Sequence, residues 1–549
     1  MNNQLRYKKI FPLLLSGVSG LFFWLAWPDM PLTFLLFFIF VPVFAIRQNL
    51  IDRKVEKVGR KFFGWAYLTV LLWNITTTWW VGYATAVGAG AMLLTNSLLM
   101  TLPLMGYHFV RKRMPAFFSY LSFVIFWLTF ENIHLNWGLS WPWLNLGNGF
   151  ADYYKWIQWY SVTGVGGGTL WILLLNIAFY QILFQFDAIY KGIFRWLSLS
   201  YLTLFGIGLP VGISYWMYNT YTEQGEEVEF VVMQPNIDPY TEKFANTEHF
   251  IPFAEQLNRF ITLSEEKITD STAFLLWPES ALDKLFLQKD FNNYSEGRRI
   301  FQFKKSHPDL NLLTGLTTYV RYEQAKEKPT VTARFRKDVG YYDVYNAGLF
   351  VSDQMKESFY HKSKLVPGVE ATPYPWLFDF LTQTVFNMGG TTGNYGVQKE
   401  RTVFYSKDSI GIAPSICYES IYGDFMASYV RNGANFITII TNDGWWKDTP
   451  GHRQHLDYAR LRAIENRRSV ARSANTGTSA FINQRGDVSQ PTKYWTQAVI
   501  KEKLHANKAL TFYTKNGDYI GRTAQWLAIF FLLSAFVKGK TKGLIDEEL

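Results

Sequence analysis

The sequence holds a single cysteine, Cys417, in the run SICYES. It closes an apolar, strand-like stretch and precedes a helix-like one. A strand-to-helix turn exposes a side chain beside backbone N–H groups, a setting that favours a thiolate nucleophile. Lone cysteines also serve as small inert hydrophobes, so residue type and place alone leave both roles open. Glu279 ends the apolar run AFLLWPES, directly after Trp277 and Pro278. A carboxylate at that position suits proton transfer near neutral pH; a helix cap or a surface carboxylate is the alternative. Lys362 stands in FYHKSKLVPGVE. A cation beside a thiolate can stabilise a developing oxyanion, whereas a lysine between strands is otherwise a solvated charge.

These three residues lie in a stretch that reads as an α/β layered domain. Short β-rich runs fall at 228–235, 273–280, 311–319, 344–352, 410–418, 434–442 and 469–483. Helical patterns lie around 246–268, 419–431 and 451–467, the last with apolar and Ala positions every three to four residues. Strands alternating with helices predict helices layered on sheets. EQGEE (223–227) reads as the linker into this domain and LTFYTKNGDYIGR (510–522) as the way out. The segments 282–308 and 320–343 read as long charged loops. There is no GxGxxG after a strand, no Walker A motif and no internal repeat.

The rest of the chain is of another kind. Of 549 residues, 49% are hydrophobic and 18% aromatic, but only 18% are charged. That composition excludes a disordered chain, a collagen and a disulfide scaffold. Apolar runs long enough to cross a bilayer fall at 11–27, 31–46, 62–81, 88–110, 116–132, 160–184, 196–217 and 522–537. The second is short enough to be re-entrant. The net charge of +10 comes with basic clusters placed between these runs, which points to membrane topology rather than to nucleic acid. Arg6, Lys8 and Lys9 precede the first run; six basic residues from Arg47 to Lys61 separate the second from the third. Arg111, Lys112 and Arg113 separate the fourth from the fifth, Lys191 and Arg195 the sixth from the seventh, and Lys538, Lys540 and Lys542 follow the eighth. The alternate short loops, Pro28 to Pro31 and Gly82 to Val87, carry none. The positive-inside rule therefore puts both termini in the cytoplasm and the α/β domain outside it. Expected domains are 1–217, an N-terminal membrane domain; 218–521, the extracytoplasmic catalytic domain; and 522–549, a last transmembrane helix with its tail. Glu131, Asp152 and Asp187 fall near span ends, where water is available. The polar stretch 133–156 reads either as an interfacial aromatic loop or as one wall of a lipid-facing site.

Glu, Lys and Cys in that order along one α/β domain resemble the nitrilase superfamily, through WPES around Glu279, YHKSKLVPGVE around Lys362 and ICYES around Cys417. Seven spans before the domain and one after it resemble the membrane branch of that superfamily, the apolipoprotein N-acyltransferases. WPWLNLG (141–147), QPNI (234–237) and NDGWW (442–446) followed by HRQHLDYARLRAIENRR extend the likeness over nearly the whole chain. There are departures. The family commonly has His two residues after its catalytic Lys, where this chain has Lys364. PGVE (367–370) stands where the family shows PFGE, although Glu370 keeps the position of the second glutamate.

The resemblance implies an αββα sandwich outside the cytoplasm of a bacterial inner membrane. It implies Cys417 as nucleophile, Glu279 as general base and Lys362 as oxyanion stabiliser, helped by the backbone N–H of Tyr418. Glu370 and Glu419 become supporting carboxylates. A phospholipid would be the acyl donor, through a thioester, and the N-terminal amine of diacylglyceryl-cysteine apolipoproteins the acceptor. Trp445 and Trp446 would line the acyl entrance or pack the domain on the bilayer. No metal and no cofactor is expected, nor nucleic acid, and the protein is expected to be a monomer. His452 and His455 are read as lining one helix. Two rival readings share much of this pattern: a membrane-anchored nitrilase-type amide hydrolase, with water as second nucleophile, and a non-catalytic membrane scaffold or transporter. One anchor would suffice for the first, and the intact residues argue against the second.

Overall fold

The computed structural model describes residues 10–185, 192–245, 247–374 and 394–547, the last helix with side chains as far as 539. Arg6, Lys8, Lys9, Asp187 and Lys191, and the side chains of Lys540 and Lys542, lie outside the described residues. The chain forms two compact units, Met1–Gly82 with Ala86–Thr220 and Asp518–Leu549, and Tyr83–Thr85 with Tyr221–Gly517.

In the first unit, six helical stretches among the described residues are long and apolar enough to cross a membrane: Thr33–Asp52, Ala86–Arg111, Ala116–His134, Tyr160–Phe184, Ile193–Thr220 and Tyr519–Gly539. Phe11–Ala26 is shorter, and Val58–Thr78 covers the third apolar run. The second run is broken into a tight turn, Thr33–Phe37, and an α-helix, Val41–Asp52. A break inside an apolar medium frees backbone groups that water cannot satisfy. Asn176 meets that need: its Oδ1 accepts from the Phe40 N–H at 2.7 Å and its Nδ2 donates to the Leu36 carbonyl at 2.8 Å. The C-terminal helix packs Ala528, Phe531 and Ala535 against Val110, Ile125 and Phe126.

The aromatic stretch 133–156 is ordered. It folds as successive short turns, and Trp143, Leu146 and Phe150 are buried. Glu131 organises it, accepting from Leu146 N at 2.8 Å, Trp127 Nε1 at 3.0 Å and Thr169 Oγ1 at 2.7 Å. This corrects the expectation that Glu131 sits near water: it is 5% exposed. Asp152 is half-buried and accepts from Asp29 N at 2.6 Å. Removing the Glu131 carboxylate would strand three buried donors, each costing about 1–3 kcal/mol. Glu131→Ala is therefore expected to lower the melting temperature in detergent by several degrees, and an unchanged melting curve would remove Glu131 from the unit's framework.

Among the described residues the second unit has fourteen strands: β1 (Glu226–Gln234), β2 (Thr272–Leu276), β3 (Leu282–Leu287), β4 (Asn311–Tyr322), β5 (Arg334–Arg336), β6 (Gly340–Val351), β7 (Glu357–His361), β8 (Phe404–Tyr405), β9 (Gly411–Ile416), β10 (Phe436–Thr441), β11 (Val470–Ala474), β12 (Ala480–Ile482), β13 (Val488–Ser489) and β14 (Ala498–Ala506). One sheet runs β14-β1-β2-β4-β6-β5, with β3 on β4 and β7 on β6; the other runs β13-β12-β11-β10-β9-β8. Strands β1, β2 and β4 are parallel, as are β9, β10 and β11, so each sheet collects its carboxyl ends at one edge. The sheets meet through Phe230 on Phe436 and Phe350 on Phe404. Helices Phe253–Glu265 and Ser295–Ser306 cover the first sheet, burying Leu257, Phe260, Ile300 and Phe303. Helices Gly423–Arg431 and Pro450–Asn466 belong with the second, giving the four-layer sandwich.

All seven expected strands are present, and 469–483 divides into β11 and β12. The supposed charged loops are largely structured. Segment 282–308 contains β3 and the helix Ser295–Ser306, whose Ile300 and Phe303 face the core while its Arg and Lys residues hid the pattern. Segment 320–343 holds β5 and the ends of β4 and β6, a hairpin whose tips project polar residues. The presumed linker is already strand at Glu226 and Glu227, paired with Ala506 and His505.

Candidate active site

The carboxyl ends of the two sheets bring Glu279, Lys362 and Cys417 into one buried cluster, the place where α/β sheets present reactive groups. Glu279 follows β2. Its turn lies against β4: Trp277 N donates to Leu313 O at 2.9 Å, and Gly315 N to Pro278 O at 3.1 Å. Gly315 is required there, because a Cβ would meet the Glu279 Cα and the Ser280 N at 2.6 Å. Lys362 extends β7, with its N–H on Asn346 O at 2.8 Å. Cys417 opens the tight turn Cys417–Ile421 at the end of β9, with φ +50°, a backbone region that L residues occupy at a cost.

Lys362 Nζ donates to Glu279 Oε1 at 3.1 Å and to Glu370 Oε1 at 2.8 Å, and it is 1% exposed. Asn346 Nδ2 donates to the same two oxygens at 2.8 and 3.0 Å. Among the described residues Glu279 Oε2 accepts no hydrogen bond. Glu370 Oε2 accepts from Val366 N at 2.8 Å, so the PGVE variant still presents this glutamate to the lysine. Burial alone pulls the Lys362 ammonium down, but the charges of Glu279, Glu370 and Cys417 outweigh it and hold it well above the usual lysine range. Burial and the Glu279 charge push the Cys417 thiol up, against the pull of Lys362. The strand-to-helix turn favours a thiolate, whereas burial and the Glu279 charge work against it.

Glu419 has a different task. Its Oε1 accepts from Tyr360 OH at 2.6 Å, Ser363 N at 2.6 Å and Lys364 N at 3.2 Å, and its Oε2 from Ile416 N at 2.9 Å. It ties the lysine loop to the cysteine turn. Tyr418 is buried next to the nucleophile. Trp445 stacks on Phe244 and meets Tyr240 edge-on, and Trp446 stands edge-on to His455; both are half-buried.

A second network underlies Cys417, one that sequence reasoning missed. His455 Nε2 lies 3.2 Å from the Cys417 carbonyl and 3.0 Å from Ser420 Oγ. Its Nδ1 lies 3.0 Å from Asp443 Oδ1, and Arg472 donates to Asp443 Oδ2 at 2.6 Å. His455, Asp443 and Arg472 are all fully buried. Burial works against the Asp443 carboxylate, but Arg472 and His455 hold it well below its ordinary value of 3.8. The motif NDGWW with its following helix was visible, yet only the fold brings Asp443, His455 and Arg472 together.

The segment 323–509 matches the carbon–nitrogen hydrolase family model; it contains Lys362, Glu370, Cys417 and Glu419, while Glu279 precedes it. Residues 19–178 match the apolipoprotein N-acyltransferase N-terminal domain. The chain is 28% identical to the apolipoprotein N-acyltransferase of Chlorobaculum tepidum over 98% of both chains, and 25% identical to that of Geobacter metallireducens over 92% of this chain and 91% of the relative. A solved Saccharomyces cerevisiae protein from branch 10 of the nitrilase superfamily is 14% identical, covers 52% of this chain and 92% of its own, and gives a TM-score of 0.35. The match to the carbon–nitrogen hydrolase model, in a chain that also carries a multi-helix apolar unit, marks a membrane protein with a nitrilase-like domain. With both family segments in one chain and relatives aligned from end to end, the chain belongs to the apolipoprotein N-acyltransferase family.

Two outcomes check the site. Gly315→Ala is expected to leave a folded protein and reduce turnover about a hundredfold, by shifting the Glu279 turn about 1 Å; turnover within a factor of two would show that the turn adapts. Asp443→Asn leaves Arg472 as a buried charge without its counter-ion and should cost about 3 kcal/mol or more. The stability that the depressed Asp443 supplies is full above its ordinary value of 3.8 and is lost as pH falls through the folded value. The Asn variant should lack that acid-side loss, as followed by unfolding between pH 5 and about 2.

Proposed function

We propose that the protein acylates the amino terminus of bacterial lipoproteins, taking the sn-1 acyl chain of a phospholipid and passing it through a thioester on Cys417. The observation that carries this reading is the Cys417 thiol, held at positive φ and acted on by the charges of Glu279 and Lys362, with Glu279 Oε2 unbonded. Glu279 Oε2 takes the thiol proton as sulfur attacks the ester carbonyl. The negative charge that forms on oxygen is stabilised by the Lys362 ammonium and the Tyr418 N–H. As the C–O bond breaks, Glu279 returns its proton to the leaving lysophospholipid oxygen, and the acyl chain stays on sulfur. The α-amine of diacylglyceryl-cysteine then attacks the thioester, Glu279 accepts the amine proton, and breaking of the C–S bond restores the thiol. Two half-reactions on one cysteine give ping-pong kinetics.

Glu370 stands as the second counter-charge to Lys362, and Glu419 as the tie between its loop and the cysteine turn. Trp445 and Trp446 are assigned to the acyl entrance. The basic clusters place 218–521 on the periplasmic side of the inner membrane, with both termini cytoplasmic and the 1–217 and 522–549 segments spanning, in a protein that works as a monomer. Keeping the chemistry at the bilayer avoids about 0.8 kcal/mol for every CH₂ that would otherwise enter water.

The test is mass spectrometry of the purified chain incubated with phospholipid and no acceptor. A fatty-acyl adduct on Cys417 that hydroxylamine removes is expected. It should be absent in Cys417→Ser and reduced at least a thousandfold in Glu279→Gln and Lys362→Ala. A free thiol in folded wild-type protein would defeat the reading, and rapid loss of the adduct to water would favour the hydrolase.

A further inference from the structure

Lys243 lies nine residues beyond the end of β1, in the segment that leads toward the helix Phe253–Glu265. Its side chain is 0% exposed, and its Nζ has no hydrogen-bond partner among the described residues. An ammonium with three unused donors away from water is costly unless charge nearby compensates it. Two carboxylates do so, Asp283 on β3 and Glu279 at the end of β2. The acids on its own segment are engaged elsewhere: Asp238 accepts from Tyr240 N and Thr241 Oγ1, and Glu242 from Asp238 N. The lysine's backbone is fixed, with its N–H on Asp238 O and its carbonyl receiving Gln256 Nε2. A buried cation without a hydrogen-bond partner among the described residues thus lies within electrostatic reach of Asp283 and of the carboxylate proposed as the base.

We infer that Lys243 is a positioning residue of the reaction, a second buried cation that keeps Glu279 ionised and so able to take the Cys417 proton. The charge pattern requires such a group. Glu279 and Glu370 share the single ammonium of Lys362, leaving the triad one negative charge in excess within an apolar interior. A second ammonium offsets part of it, both before proton transfer and after, when Glu279 is neutral and the sulfur carries the charge, with Asp283 as a competing partner once ionised. The charges that act most strongly on Cys417 are those of Glu279, Lys362 and Asp443, so the effect of Lys243 is assigned to Glu279. Burial lowers the Lys243 ammonium to about 8, against the pull of Asp283 and Glu279, so the influence belongs to neutral and acidic pH and fades above it. Asp283 is itself raised by burial to about 6 and competes for the lysine once ionised.

The inference rests on the acyl-transfer reading, and its test keeps the two apart. The rate of adduct formation on Cys417 is followed against pH with phosphatidylethanolamine in mixed micelles, for wild type, Lys243→Met, Lys243→Gln and Lys243→Arg. Losing the cation makes Glu279 harder to ionise. The acid limb of both neutral variants should move to higher pH by about one unit, a tenfold slower rate below the limb. They should converge with wild type above about pH 9, where the lysine has lost its proton. The Arg variant should keep the wild-type limb. An unmoved limb in both neutral variants, an equal slowing at every pH, or a limb shifted as far in the Arg variant would each overturn the assignment. Absence of any adduct in the wild type would overturn the acyl-transfer reading itself.

Discussion

The buried ammonium of Lys362 is the interaction on which the catalytic unit turns. Two carboxylates, Glu279 and Glu370, come from different elements and would repel each other in an interior of low dielectric. Lys362 Nζ bridges them at 3.1 and 2.8 Å, and Asn346 repeats the bridge with a neutral amide. Buried ion pairs contribute little net stability, because desolvation consumes most of the Coulomb gain. Their value here is geometric. Both bonds to Glu279 fall on Oε1, which fixes the carboxylate plane while sparing its second oxygen.

Cys417 is held by a separate set of contacts. A cysteine at φ +50° persists only if its surroundings over-determine it. Ser420 and His455 both address the Cys417 carbonyl, His455 is anchored by Asp443, and Asp443 by Arg472. Glu419 then joins the cysteine turn to the lysine loop with four hydrogen bonds. The two supporting carboxylates are thus not equivalent. Glu370 supplies charge to the reacting cluster, and Glu419 supplies alignment between the elements that carry it.

The legible residues were those whose type, neighbours and order all agreed. Glu279 after WP and Cys417 at a strand end stood out because each breaks an apolar pattern at a strand terminus, whereas Lys362, between expected strands, stood out by its motif. The strands β2, β4, β6, β9 and β10 were visible as apolar runs for the same reason. What stayed hidden depended on distant pairing. Lys243, Asn346 and Tyr360 look like ordinary residues in one dimension, and the helix Ser295–Ser306 shows only two buried apolar side chains among many charges. Glu131 was misplaced because a carboxylate near a span end ordinarily reaches water, whereas here the aromatic turns fold back over it.

That reversal shows how one rule serves both units. Where water is absent, a polar group survives only if its partners are built in. In the first unit the rule produces structure: Asn176 satisfies a broken helix, and Glu131 gathers three donors into a folded aromatic segment. In the second, Glu279 and Glu370 share the donors of Lys362 and Asn346. Glu279 Oε2 and Lys243 Nζ are left without hydrogen-bond partners among the described residues, although every neighbouring carboxylate and amide is engaged at one end or the other. Beside the Cys417 thiol, which burial and the Glu279 charge push up, that carboxylate has one oxygen bound and one unbound among the described residues.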